Sequence, residues 1–216
     1  MFDYILFDLD GTLTDSFDGV GNSILYAMKK LGRTLPDKQS LRWCLGPPIK
    51  ESFLKLVDGD EKAANEGVRL YREYYSDRGL FENRVYDGIP EVLSELQDMG
   101  KRLIVATSKP EVFSKRILEK FKLSQYFNFV AAASLDSSRT QKYQVIDYAI
   151  TEKRLTISKT VMVGDRHHDI DGANMYGIKS IGVLYGYGTE EELESAGADF
   201  IAPTPNDIVE IIRNCE

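Results

Sequence analysis

The stretch Tyr4-Ile5-Leu6-Phe7-Asp8-Leu9-Asp10-Gly11-Thr12-Leu13-Thr14-Asp15 decides the reading of this chain. Residues 4–9 form a short, mostly apolar run that suits a strand buried on both faces of a parallel sheet. Side chains alternate along a strand, so Asp8 and Asp10 leave its carboxyl end on the same side. Ligands of open α/β sheets bind in that crevice. Two carboxylates there repel one another unless a cation or a proton separates them, and Gly11 permits a tight turn immediately afterwards.

Similar apolar runs recur at 103–107, 129–132, 161–164, 180–184 and 199–201. Helical patterns lie between them. Ile89, Val92, Leu93, Leu96 and Met99 follow a helical period that Gly100 ends, and residues 111–121 and 143–150 carry similar stripes. Short buried strands alternating with helices predict an α/β fold, a three-layer Rossmann-like core on a parallel sheet. Residues 15–84 break the rhythm. They hold no convincing strand, but helical periods at Val20, Ile24, Ala27, Met28 and Leu31 and at Val68, Tyr71 and Tyr75, with a break at Gly46-Pro47-Pro48. The expected organisation is a core of 1–14 and 85–216 with an inserted all-helical domain at 15–84, joined by two adjacent linkers. The tyrosines at 71, 74 and 75 are expected to pack that insertion.

Composition narrows the function. Of 216 residues, 43% are hydrophobic and 28% charged, which suits a globular chain with a real core. The net charge of −7 disfavours non-specific binding to nucleic acid or to an anionic membrane. No apolar run is long enough to span a bilayer. Cys44 and Cys215 form no CxxC pair and the amino terminus has no signal-peptide pattern, so a cytoplasmic protein with reduced thiols is expected. His167 and His168, the two histidines of the chain, are read as residues of a solvated loop and not as zinc ligands.

Asp8-Leu9-Asp10-Gly11-Thr12-Leu13 resembles the first motif of the haloacid dehalogenase-like superfamily. Leu103 to Ser108 resembles the second, Lys142 the third-motif lysine, and Gly164-Asp165-Arg166-His167-His168-Asp169 the fourth. The stretch Asp136 to Tyr143 departs from the family pattern in lacking a Gly before the lysine and a Pro after it. The insertion resembles the family's C1-type helical cap, near its phosphoglycolate phosphatase, 5′-nucleotidase and β-phosphoglucomutase-like members. Dehalogenases proper lack the second aspartate, which is Asp10 here.

The resemblance implies a Mg²⁺-dependent phosphomonoester hydrolase acting on a small phosphorylated metabolite, a phosphoglycolate-like acid or a nucleoside 5′-monophosphate. Asp8 would be the nucleophile and Asp10 the general acid and base. Mg²⁺ would sit between the Asp8 side chain, the Asp10 carbonyl and Asp165. Asp169 would bind the metal directly, through water, or hold Lys142. Thr107, the Ser108 N–H and Lys142 would bind the phosphoryl group. Arg42 and Lys50 of the cap are candidate substrate contacts. The alternatives are a phosphomutase, which needs a second phosphate site, and a non-catalytic domain binding a phospholigand or a protein. Family members are often monomers or homodimers.

Overall fold

The computed structural model describes residues 1–136 and 138–215. Its strands and α-helices run β1 (Tyr4–Phe7), β2 (Thr14–Asp15), α1 (Phe17–Lys30), α2 (Ile49–Leu56), α3 (Glu61–Tyr75), β3 (Arg84–Val85) and α4 (Ile89–Asp98). They continue with β4 (Arg102–Pro110), α5 (Glu111–Lys120), β5 (Phe129–Ala133), α6 (Lys142–Lys153), β6 (Thr160–Gly164) and α7 (His167–Asn174). The chain ends with β7 (Lys179–Val183), α8 (Glu190–Ser195), β8 (Phe200–Ala202) and α9 (Pro205–Asn214). It divides into two compact units, Met1–Thr14 with Val85–Glu216, and Asp15–Arg84.

The first unit is the α/β core. Its six strands lie in the order β5-β4-β1-β6-β7-β8, and every pairing is parallel. The chain leaves β1 to build one side of the sheet, then returns to build the other from β6. The reversal of strand order at β1 opens a crevice at the carboxyl ends. Ile5, Leu6 and Phe7 are fully buried because β1 has a strand on either side and helices over the sheet. One core cluster joins Leu6, Ile104, Ala131, Val145, Ile146 and Met162, which ties α6 to β1, β4, β5 and β6. Gly100 ends α4 at φ +74°, with the Lys101 N–H donating to the Leu96 carbonyl.

The second unit is helical. Val20, Ile24, Ala27 and Met28 of α1 and Ala64, Leu70, Tyr71 and Tyr75 of α3 are buried within it. The rings of Tyr71 and Tyr75 stack at 5.1 Å, and the Tyr74 hydroxyl donates to Glu82 at 2.8 Å. These tyrosines pack the unit, as their spacing predicts. Gly46-Pro47-Pro48 separates a 3₁₀ segment (Lys38–Cys44) from α2. One expectation needs correction: Asp15 and Arg84 lie in the two-residue strands β2 and β3, which pair with each other. Two residues are too few to show a strand period. Among the described residues, no helix is long and apolar enough to cross a membrane.

Candidate active site

Strand register assembles the site. Phe7 is level with Val105 on one neighbour and Val163 on the other. Asp8 therefore emerges level with Ala106 inside β4 and with Gly164 at the end of β6, and its N–H donates to the Val163 carbonyl at 2.9 Å. Thr107 and Asp165 lie just beyond on those neighbours. Lys142 is the first residue of α6, and Asp169 lies in the first turn of α7.

Oxygens of Asp8, Asp165 and Asp169 all lie within 4.8 Å of one another, and all three residues are buried. The Lys142 ammonium stands 2.8 Å from Asp8 Oδ1 and 2.7 Å from Asp169 Oδ1, and donates to the Ala106 carbonyl at 2.9 Å. Lys142 is thus held between Asp8 and Asp169. Asp169 Oδ2 accepts from the Arg166 N–H at 3.1 Å. Three carboxylates against one ammonium leave a formal charge of −2 in a buried pocket. Oxygen donors around such a deficit fit a hard divalent cation. The Asp10 side chain stands outside this cluster. Its Oδ2 pairs with the Lys109 ammonium at 2.8 Å.

The titration of the cluster reflects the same crowding. Burial pushes the Asp165 carboxyl well above the usual carboxylate range, and the charges of Asp169 and Asp8 add to the rise. Burial also carries Asp169 up to about 6, against the downward pull of Lys142. Burial opposes the charge on Lys142, but Asp169 and Asp8 outweigh it and raise its pKa above the ordinary lysine value. A carboxyl whose folded pKa exceeds its unfolded one binds protons in the folded state that the unfolded chain has released. Without a divalent cation, the chain should therefore lose stability as pH rises from about 4 through about 6. A bound cation should flatten that slope. Thermal unfolding across this window, with Mg²⁺ and with chelator, checks it. Identical slopes in the two conditions would contradict it.

Thr107 is buried, and its Oγ1 accepts from the Lys109 N–H at 3.2 Å; Ser108 is half-buried. Arg42 lies in the 3₁₀ segment of the helical unit with its guanidinium 4.8 Å from the Phe17 ring centre, and Lys50 of α2 pairs with Glu61 at 3.3 Å. His167 and His168 are not loop residues: they begin α7. His167 Nδ1 lies 2.8 Å from Glu192 Oε1, the oxygen that also accepts from Arg166 Nε at 2.8 Å. Glu192 draws both toward α8, a long-range pairing that no local pattern shows.

Sequence reasoning missed three contributors. Lys109 is one; its place two residues after Thr107, on the same strand face, was the available signal. Thr12 is the second, its hydroxyl 3.4 Å from Asp165 Oδ1. The third is the turn Gly186-Tyr187-Gly188, whose Tyr187 N–H donates to Asp165 Oδ2 at 2.8 Å. A Cβ on Gly186 would lie 2.3 Å from Asp165 Cβ, and one on Gly11 2.1 Å from Asp165 Oδ2. Both glycines are there because the backbone passes against that carboxylate.

Comparison with known proteins gives concordant results. The family model of the haloacid dehalogenase-like hydrolases matches residues 5–183. A 5′-nucleotidase of Pseudomonas aeruginosa is 43% identical over 191 residues, 88% of this chain and 86% of that one. The tyrosine-protein kinase PtkA of Mycobacterium tuberculosis is 40% identical over 95% of this chain and 67% of its own. The crystal structure of a predicted phosphatase from Clostridium acetobutylicum superposes with a TM-score of 0.95 at 44% identity, covering 99% of both chains. This chain belongs to the haloacid dehalogenase-like hydrolases and is an enzyme of their phosphatase kind.

Proposed function

We propose that the chain is a Mg²⁺-dependent phosphatase that hydrolyses nucleoside 5′-monophosphates through an aspartyl-phosphate on Asp8. The observation that carries this reading is the buried cluster of Asp8, Asp165 and Asp169 with its formal charge of −2, bridged by Lys142. The likeness to the 5′-nucleotidase favours the nucleotide over a phosphoglycolate-like acid. The side chains of Asp8, Asp165 and Asp169, with the Asp10 carbonyl, would hold Mg²⁺. When bound, the ion supplies positive charge that lets an anionic phosphate approach the Asp8 carboxylate.

The chain's own residues carry the proton and bond changes. An Asp8 carboxylate oxygen bonds to phosphorus, the bond from phosphorus to the leaving oxygen breaks, and the Asp10 proton passes to that oxygen. Water oxygen then bonds to phosphorus, the acyl-phosphate bond breaks to return the Asp8 carboxylate, and a proton of the water passes to Asp10. Lys142 balances charge on Asp8 throughout, and Thr107 with the Ser108 N–H orients the phosphoryl oxygens. Residues 15–84 act as a C1-type cap whose Arg42 and Lys50 are the candidates for recognising the rest of the substrate.

Phosphate release from nucleoside 5′-monophosphates, phosphoglycolate and hexose phosphates, with Mg²⁺ and with chelator, tests the reading. Turnover that needs the metal and is fastest on the nucleotides is expected. Preference for an acid such as phosphoglycolate would overturn the substrate assignment, and metal-independent turnover the Mg²⁺ assignment. The PtkA likeness supports a second reading, in which the phosphoryl group passes to a protein tyrosine. Nucleotide-dependent appearance of phosphotyrosine in place of free phosphate would favour it.

A further inference from the structure

Asp10 has to give up and take back a proton at one place, so its carboxylate needs a fixed orientation. It also stands beside a cluster already short of positive charge. Lys109 meets both needs. Its ammonium lies 2.8 Å from Asp10 Oδ2, and the two side chains are only 6% and 16% exposed. The other oxygen, Asp10 Oδ1, is buried and has no hydrogen-bond partner among the described residues. Among the described residues, one oxygen is pinned and the other has no donor.

The backbone sets the aim of this lysine. The Lys109 N–H donates to Thr107 Oγ1 at 3.2 Å, and its carbonyl accepts from Ser114 Oγ at 3.3 Å. Here the register of β4 against β5 shifts: Thr107 pairs with Ala132, but Pro110 pairs with the next residue, Ala133. Such a bulge re-aims side chains at a strand end. The same residue, Thr107, serves the phosphoryl group in the mechanism above.

We propose that Lys109 is a positioning residue for Asp10, holding Oδ2 so that Oδ1 exchanges the proton with the leaving oxygen and then with water. The proposal rests on the hydrolase reading above. Between the two proton transfers, when Asp10 is a carboxylate, the Lys109 ammonium offsets its charge beside the metal cluster.

A residue that acts through the general acid should matter most when the leaving group needs a proton. The alkoxide leaving from adenosine 5′-monophosphate needs one; the nitrophenolate leaving from 4-nitrophenyl phosphate does not. Values of kcat/KM are to be compared for wild type, Lys109→Met, Asp10→Asn and the double variant on both substrates. Lys109→Met should lose roughly 30-fold or more on the nucleotide and less than about fivefold on the nitrophenyl ester. Lys109→Arg should recover most of the loss. In the Asp10→Asn background, Lys109→Met should cost no more than about twofold further.

Equal losses on both substrates, or a full further loss in the Asp10→Asn background, would overturn the proposal and make Lys109 a phosphate ligand or a structural residue. If Lys109→Met does not fold, the double variant, which leaves no unpaired charge, decides against Asp10→Asn alone. A wild-type protein inert on both esters, or an active Asp8→Asn variant, would instead sink the hydrolase reading.

Discussion

Asp8→Asn should abolish phosphomonoester hydrolysis, lowering kcat by roughly 10⁴- to 10⁶-fold. The amide keeps the size of the side chain but is a far poorer nucleophile toward phosphorus. It also removes one of the three carboxylates that crowd the site. Lys142 keeps its partner Asp169 at 2.7 Å, so the change leaves no buried ammonium without a counterion. The metal-free variant should therefore be at least as stable as the metal-free wild type. Its gain in Tm on adding Mg²⁺ should be smaller, because a ligand has been lost. Activity within tenfold of wild type would remove Asp8 from the role of nucleophile. A large fall in metal-free Tm would mean that Asp8 serves the fold more than it burdens it.

The second large effect is expected at Lys142. Its side chain is 5% exposed and bridges two carboxylates. Lys142→Met fills similar space but takes from Asp8 and Asp169 the ammonium that pairs with both. Removing one partner of a buried ion pair typically costs about 3–5 kcal/mol. For a chain of this size that is a fall in Tm of roughly 6–20 °C. Activity should be lost as well, since the ammonium that balances charge on Asp8 is gone. The diagnostic feature is recovery: lower pH, added Mg²⁺, or a second change Asp8→Asn should each restore part of the stability by reducing the uncompensated charge. A fall in Tm that none of the three relieves would mean that Lys142 is held for packing, not for charge.

How far these features can be read from the residues depends on how local their causes are. The strands of the large sheet show in the sequence because each is a short apolar run buried on both faces, as Ile5, Leu6 and Phe7 are. Asp8 and Asp10 show because strand alternation and a following glycine act within a few residues. Asp165 and Asp169 show through their resemblance to the family's fourth motif, which follows the apolar run at 161–164. The turn at Tyr187 does not, because its contact with Asp165 joins residues 22 apart through backbone geometry. The pairing of His167 with Glu192 does not show either, since the two lie 25 residues apart. Lys109 was hidden by a strand that runs past Thr107 to Pro110 through a register shift, where an apolar pattern ends earlier. The misses at Lys109, Thr12 and Tyr187 come from long-range or irregular-backbone contacts, and these three groups touch Asp10 or Asp165.

The central claim is that Asp8 carries the phosphoryl group. Acid quench during turnover of 4-nitrophenyl phosphate with Mg²⁺, followed by peptide mass mapping, tests it most directly. The Asp10→Asn variant should be included, because it lacks the base that activates water and should accumulate the intermediate. A phosphoryl adduct on the peptide containing Asp8, lost in the Asp8→Asn/Asp10→Asn double variant, is the predicted result. An adduct on another residue, or steady hydrolysis by the Asp8→Asn/Asp10→Asn double variant, would contradict it.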